Sequence, residues 1–233
     1  MTGKNNANAL EVLYEDNHLI AVNKVPGDIV QPDLTGDTAL EESVKAYIKV
    51  KYSKPGSVFL GVAHRIDRPV SGVVLFARTS KALARVNELF REKSLKKIYW
   101  AIVKNLPEQP SGTLRHYLQR NNKQNKSYAY PNESPGSKLA VLHYKLLASS
   151  NTYHLLEVDL ETGRHHQIRC QLAAIGCPIR GDLKYGFDRS NKDGGISLHA
   201  RSISFEHPVK KEIITITAPP PPEKLWEVFT DCL

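Results

Sequence analysis

The amino-acid sequence predicts an α+β fold built on a largely antiparallel sheet, and three observations carry that expectation. Short apolar stretches rich in β-branched and aromatic residues recur along the chain. Helical periodicity occurs at only a few places between them. The strand-like runs also follow one another mostly without the intervening helix that a doubly wound parallel sheet requires.

The elements are read in order. Residues 1–8 are polar and Asn-rich, with nothing to pack, and are expected to form a disordered tail. A single domain is expected over 9–233, since 233 residues at 41% hydrophobic content can bury a sizeable core. Strand-like runs lie at 19–25, 58–62, 73–77, 98–103, 139–147, 153–160 and 213–217. Leu40, Val44, Tyr47 and Ile48 fall on one helical face after Asp37 and Thr38, and Leu83, Val86, Leu89 and Phe90 do so after Thr79 and Ser80. A third helix is predicted over 165–175, stopping at Gly176, and a short last one over 223–229 behind the proline block at 219–222. The polar stretches at 120–126 (RNNKQNK) and 188–195 (DRSNKDGG) read as surface loops, the first basic enough to touch phosphate.

Composition narrows the function classes. Lys and Arg number 32 against 24 Asp and Glu, giving a net charge of +8 and a pI near 9.3, which favours a polyanionic partner. The three cysteines form no CxxC pair, so neither a disulfide framework nor a cysteine-based zinc site is supported, and a reducing, cytoplasmic setting is expected. Nothing resembles a signal peptide or a run of about 18 apolar residues, so no membrane association is expected. The glycines match neither dinucleotide-binding nor P-loop spacing, and the histidines match no metal-site spacing.

Two dense polar segments could carry chemistry. His64-Arg65-Ile66-Asp67-Arg68-Pro69-Val70-Ser71-Gly72 sets one carboxylate among three potential cations in a loop between two strand-like runs. Nearby positive charge keeps such a carboxylate ionised when partly desolvated, available as nucleophile or general base. In an arbitrary Arg-rich loop the commoner role would be a salt bridge or turn cap. Glu161-Thr162-Gly163-Arg164-His165-His166-Gln167-Ile168-Arg169 leaves a strand and enters a helix. Its polar side chains are costly to bury alone, so they either line a cleft or form a solvated helix start, with Ile168, Leu172 and Ile175 on the packed face.

These segments, HRIDRPVSG followed by VVLFA and TGRHHQIR followed by QLAAIGCPIRGDLKYG, resemble the motifs of the RluA-type family of RNA pseudouridine synthases. VNKVPG at 22–27, KIYWAIV at 97–103, and LHA with FEHP near 198–208 extend the resemblance in the family's order. It implies the pseudouridine synthase fold and an RNA substrate, ribosomal or transfer, whose specific uridines are isomerised without cofactor or metal. Asp67 matches the family's catalytic aspartate. Arg65 matches the arginine that enters the RNA stack, Tyr99 the aromatic that stacks on the flipped base, and Arg169 the arginine that pairs with the catalytic carboxylate. His64, Arg68, Lys97, Arg164, His166 and Gln167, neighbours within these motifs, complete the expected RNA-binding set. Departures are Val70 for a usual Thr, Pro26 displaced by one residue, and Gln171 for a common His. With the sequence opening directly at the catalytic domain, recognition is expected to fall on its own surface, including Arg115, Arg120, Lys123 and Lys126, and a monomer is expected.

Overall fold

The computed structural model describes residues 10–33 and 36–233, so the tail expected over 1–8 lies outside the described residues. In chain order the elements are β1 (Val12–Glu15), β2 (Leu19–Lys24), α1 (Leu40–Lys51), β3 (Gly61–Val62), β4 (Ser71–Ala77), α2 (Ser80–Arg91), β5 (Lys96–Val103) and β6 (Ser111–Asn121). There follow β7 (Lys126–Tyr130), β8 (Lys138–Ser149), β9 (His154–Leu160), α3 (Gln167–Ala174), β10 (Leu198–Glu206), β11 (Ile213–Thr217) and α4 (Lys224–Thr230). The pairings β1–β2, β2–β4, β3–β4, β10–β11, β5–β9, β8–β9, β6–β8 and β6–β7 are antiparallel, in line with the expectation of a largely antiparallel sheet. Two compact units can be distinguished within the chain and are described separately. One comprises residues up to Leu95 with Ala200–Pro220, the other Lys96–His199 with Pro221–Leu233.

In the first unit the strand order is β1-β2-β4-β10-β11, with the short β3 paired to β4. Both faces of β2 and β4 are covered, which is why LIAV and SGVVLFA are continuously apolar rather than alternating. Ile20, Val22, Val74 and Phe76 pack with Leu40, Val44 and Ile48 of α1. Leu19, Ala21, Val73 and Leu75 pack with Ala82 and Val86 of α2. Thr79 caps α2 as its sequence signal suggests, its Oγ1 accepting from Ala82 N–H at 3.1 Å. Asp37 and Thr38 do not cap α1. Instead Leu40 and Glu41 N–H donate to the carbonyls of Ile29 and Val30, so backbone from the preceding loop satisfies the helix start. Gly72 has φ +112°, and a Cβ there would lie 2.3 Å from the Ala200 carbonyl oxygen, so only glycine lets β4 approach β10 this closely.

In the second unit the order is β5-β9-β8-β6-β7. Ile98, Trp100, Ile102 and Leu155 pack against Trp226 and Phe229 of α4. Leu118, Ala129 and Ala140 pack against Cys170 and Ala173 of α3 and against Tyr185. The loop predicted at 120–126 is the tip of the β6–β7 hairpin, whose two strands are not among the predicted runs and include Arg120, Asn121 and Lys126. The run at 58–62 yields only the two-residue β3. α3 begins two residues later than predicted, behind His166 in a left-handed conformation (φ 53°), and stops before Gly176 (φ +75°).

Candidate functional site

In the first unit the loop between β3 and β4 carries Asp67. It closes on itself through a turn in which Val70 N–H donates to the Asp67 carbonyl at 3.0 Å. Arg65 is exposed, and Arg68 reaches the Asp37 carboxylate at 2.7 Å. His64 faces inward: its Nε2 accepts the Leu75 N–H at 3.0 Å, and its ring lies 5.2 Å from Phe90. This role ties the loop to β4, which a position assigned to RNA binding did not anticipate.

The loop's other anchor is Lys24, at the end of β2 and 1% exposed. Its Nζ donates to the carbonyls of Val25 and Arg68, each at 3.0 Å. Gly27 N–H donates to the same Arg68 oxygen at 2.9 Å, so the VNKVPG turn grips the chain one residue past Asp67. Burial pushes the Lys24 ammonium down to about 7; the charges of Asp28 and Asp67 act upward and Arg68 acts against them. A buried amine poised near neutrality therefore lies within the electrostatic reach of Asp67.

In the second unit Tyr99 and Lys97 share one face of β5, opposite the face that Ile98, Trp100 and Ile102 turn to α4. Lys97 Nζ lies along Gly163, 3.8 Å from where a Cβ would stand. Arg169 is buried on α3. Its Nε donates to Asp182 Oδ2 at 2.6 Å and its Nη2 to Asp182 Oδ1 at 2.8 Å, a bidentate pair that fixes the guanidinium plane. The Tyr185 ring packs 5.1 Å from the guanidinium.

Behind this pair runs a neutral network. Tyr185 Oη accepts from Ser127 N–H at 2.8 Å and is hydrogen-bonded to His166 Nδ1 at 3.0 Å. Burial, then the positive charges of Arg169 and His165, hold the His166 imidazole down to about 2, and burial raises the Tyr185 phenol. His166 is therefore a neutral imidazole inside the fold, stacked 3.8 Å from His165. Gln167 is also turned inward: its Oε1 accepts from Thr162 Oγ1 and Arg164 N–H, and its Nε2 donates to the Val141 carbonyl. Arg164 is exposed, its Nε donating to the Leu139 carbonyl at 3.0 Å.

At the start of α3 the polar residues are thus turned into the fold, while Glu161 and Arg164 ahead of it are exposed. Gln167, Arg169 and Gln171 are as buried as Ile168 and Leu172: Gln167 and Arg169 are held by hydrogen bonds within the fold, and Gln171 donates through Nε2 to the Leu114 carbonyl while its Oε1 is buried without a hydrogen-bond partner. Sequence reasoning missed Lys24, Asp182 and Tyr185. Each stands inside a quoted motif, VNKVPG or RGDLKYG, and the signal overlooked was a charge next to apolar strand or turn residues. Among the described residues no three His, Cys, Asp or Glu side chains gather as metal ligands, and no helix is long and apolar enough to cross a membrane.

Comparison with known proteins agrees with this motif set. The family model described as RNA pseudouridylate synthase matches residues 18–174, which contain Lys24, Asp67, Tyr99 and Arg169. The chain is 34% identical over 218 residues to the uncharacterized RNA pseudouridine synthase YhcT of Bacillus subtilis, covering 91% of this chain and 69% of that protein. It is 32% identical over 222 residues to ribosomal large subunit pseudouridine synthase D of Zymomonas mobilis, again covering 91% and 69%. The solved structure of human RNA pseudouridylate synthase domain containing 4 shares the fold, with a TM-score of 0.79 over 97% of this chain and 95% of that one at 24% identity. A sequence match at these identities over 91% of the chain, together with the family model, shows that the chain belongs to the RNA pseudouridylate synthase family and is an isomerase acting on RNA.

Proposed function

We propose that Asp67 is the catalytic carboxylate of an isomerisation that converts specific uridines of ribosomal or transfer RNA to pseudouridine. The observation that carries this reading is the double grip of Lys24 and Gly27 on the Arg68 carbonyl, which holds the residue next to Asp67 while a buried amine sits within its field. A structural carboxylate on a surface loop has no need of such an anchor. Similarity to ribosomal large subunit pseudouridine synthase D of Zymomonas mobilis supports a ribosomal target.

The reaction cleaves the bond between ribose C1′ and uracil N1, rotates the base, and forms a bond from C1′ to C5. The C5 proton is lost and N1 gains one, so there is no net redox change. In this reading Asp67 assists the cleavage, Tyr99 stacks on the extruded base, and Tyr99 or Asp67 accepts the C5 proton. Arg169 has its guanidinium plane fixed by Asp182, and Arg65, exposed on the same loop as Asp67, fills the gap the base leaves.

Carbodiimide-dependent reverse-transcription stops in total RNA test the reading. Cells with the wild-type protein, without it, and with Asp67→Asn are compared. A stop present only with wild type is the expected result and names the target. A stop that survives Asp67→Asn removes Asp67 from the chemistry.

A further inference from the structure

The outward face of the β6–β7 hairpin carries three tyrosines. Tyr117 pairs with Tyr130, Gln119 with Tyr128 and Asn121 with Lys126 in the antiparallel register, so these residues share one face, with Arg115 two residues before Tyr117. The opposite face is closed, since Leu118 and Ala129 pack on Ala140, Cys170 and Tyr185. Tyr128 is 38% exposed and Tyr130 41% exposed, a large aromatic surface to leave in water beside such a well-filled inner face.

The hairpin is also held rigidly. Lys184 Nζ donates to the carbonyls of Gln124 and Asn125 in its tip, and Ser127 Oγ donates to the His165 carbonyl at 2.8 Å. Its charge is one-sided: residues 111–130 contain four Lys and Arg and no Asp or Glu, which suits a polyanion. Lys126 Nζ lies 5.5 Å over the Tyr128 ring, setting a phosphate-binding cation beside a stacking surface.

We infer that this face is a platform for unpaired nucleotides of the RNA substrate, with Tyr128 and Tyr130 stacking on bases and Arg115 and Lys126 holding phosphates; this rests on the RNA pseudouridine synthase reading above. Residues two apart on a strand are separated by about 6.8 Å, roughly twice the 3.4 Å rise per nucleotide of a stacked strand. Neighbouring rings at that spacing fit the bases of an extended strand. In a duplex the base faces are already covered and only backbone is presented. Aromatic rings interleaved with cations are the general solution for single-stranded binding.

The test is fluorescence anisotropy with a labelled single-stranded oligouridine and with an RNA duplex of equal length, across a salt series. Tyr128→Ala and Tyr130→Ala should each weaken single-strand binding about tenfold with an unchanged salt slope, while Tyr128→Phe and Tyr130→Phe bind as wild type. Lys126→Gln should lower the slope of log K against log salt by about 0.7. Unchanged single-strand affinity in the alanine variants, or an equal loss on the duplex, overturns the platform. The carbodiimide assay on wild type reads the parent proposal separately. Wild-type activity with tyrosine-independent binding sinks the platform alone; tyrosine-dependent binding without any protein-dependent pseudouridine supports the platform and sinks the uridine chemistry.

Discussion

Replacing Lys24 with Met removes a charge from the core of the first unit, and the structure fixes how the effect must vary with pH. The folded amine titrates at about 7 against an ordinary value of 10.5. Between those limits the unfolded chain holds a proton that the folded chain has released, so stability rises with pH, by at most about 1.4 kcal/mol per pH unit. Because the folded amine is still half protonated at pH 7, the gain for wild type between pH 7 and 9 works out at about 2 kcal/mol. Lys24→Met has no such slope. At pH 7 the variant also escapes the burial penalty, against which stands the loss of a donor to the Val25 carbonyl, about 1–3 kcal/mol; the Arg68 carbonyl keeps its bond from Gly27. The variant is therefore as stable as wild type near neutrality and falls behind it as the pH rises. Urea unfolding at pH 7, 8 and 9 measures both curves, with every other titrating group common to the two proteins. Parallel curves would refute the assignment of Lys24 as a buried, titrating amine.

Asp182→Ala strips Arg169 of its bidentate partner while leaving the guanidinium buried, and should cost about 3–5 kcal/mol in chemical denaturation, with Asp182→Asn costing less; a midpoint within error of wild type would show that the pair does not hold α3. Asp16 provides a separate acid-range test. Burial pushes its carboxyl up, but this is outweighed by the backbone N–H groups of His18 and Leu19, the Tyr14 hydroxyl and nearby His207, which together hold it down at about 2. Its folded value lies below the ordinary 3.8, so its contribution is complete above that pH and is lost as the pH falls toward 2. Thermal melts should thus show wild type losing more stability than Asp16→Asn between pH 4 and 2.

Which elements could be read from sequence follows from how each is solvated. β2, β4, β5, β8 and β9 announce themselves because their apolar residues cluster, whether on two covered faces or one. β6 and β7 do not. Their outward residues are Arg, Tyr, Gln and Lys, and their inward ones include His116 and Ser127, so polarity hides the alternation and the basic tip reads as a loop running on into both strands. The start of α1 misleads for a different reason. Asp37 and Thr38 are good capping residues, but carbonyls from Ile29 and Val30 reach the helix first, and only tertiary structure reveals that competition.

The site divides along the same line. Arg65 and Arg164 are exposed, Arg68 faces solvent with its partner Asp37, and a polar pattern reads such positions well. Lys24 and Asp182 break the rule that charge points to water, and each does so within its own unit beside a residue assigned to chemistry, Lys24 near Asp67 and Asp182 on Arg169. A buried charge without a partner would cost more than the fold could bear, so its presence implies partners elsewhere in the chain, and spacing along the sequence does not identify them. His166 and Gln167 make the converse point. Placed in the most polar stretch of the sequence, they make hydrogen bonds to Tyr185, Thr162 and Val141, so polarity there includes support of the motif from within the fold, which spacing along the sequence does not reveal.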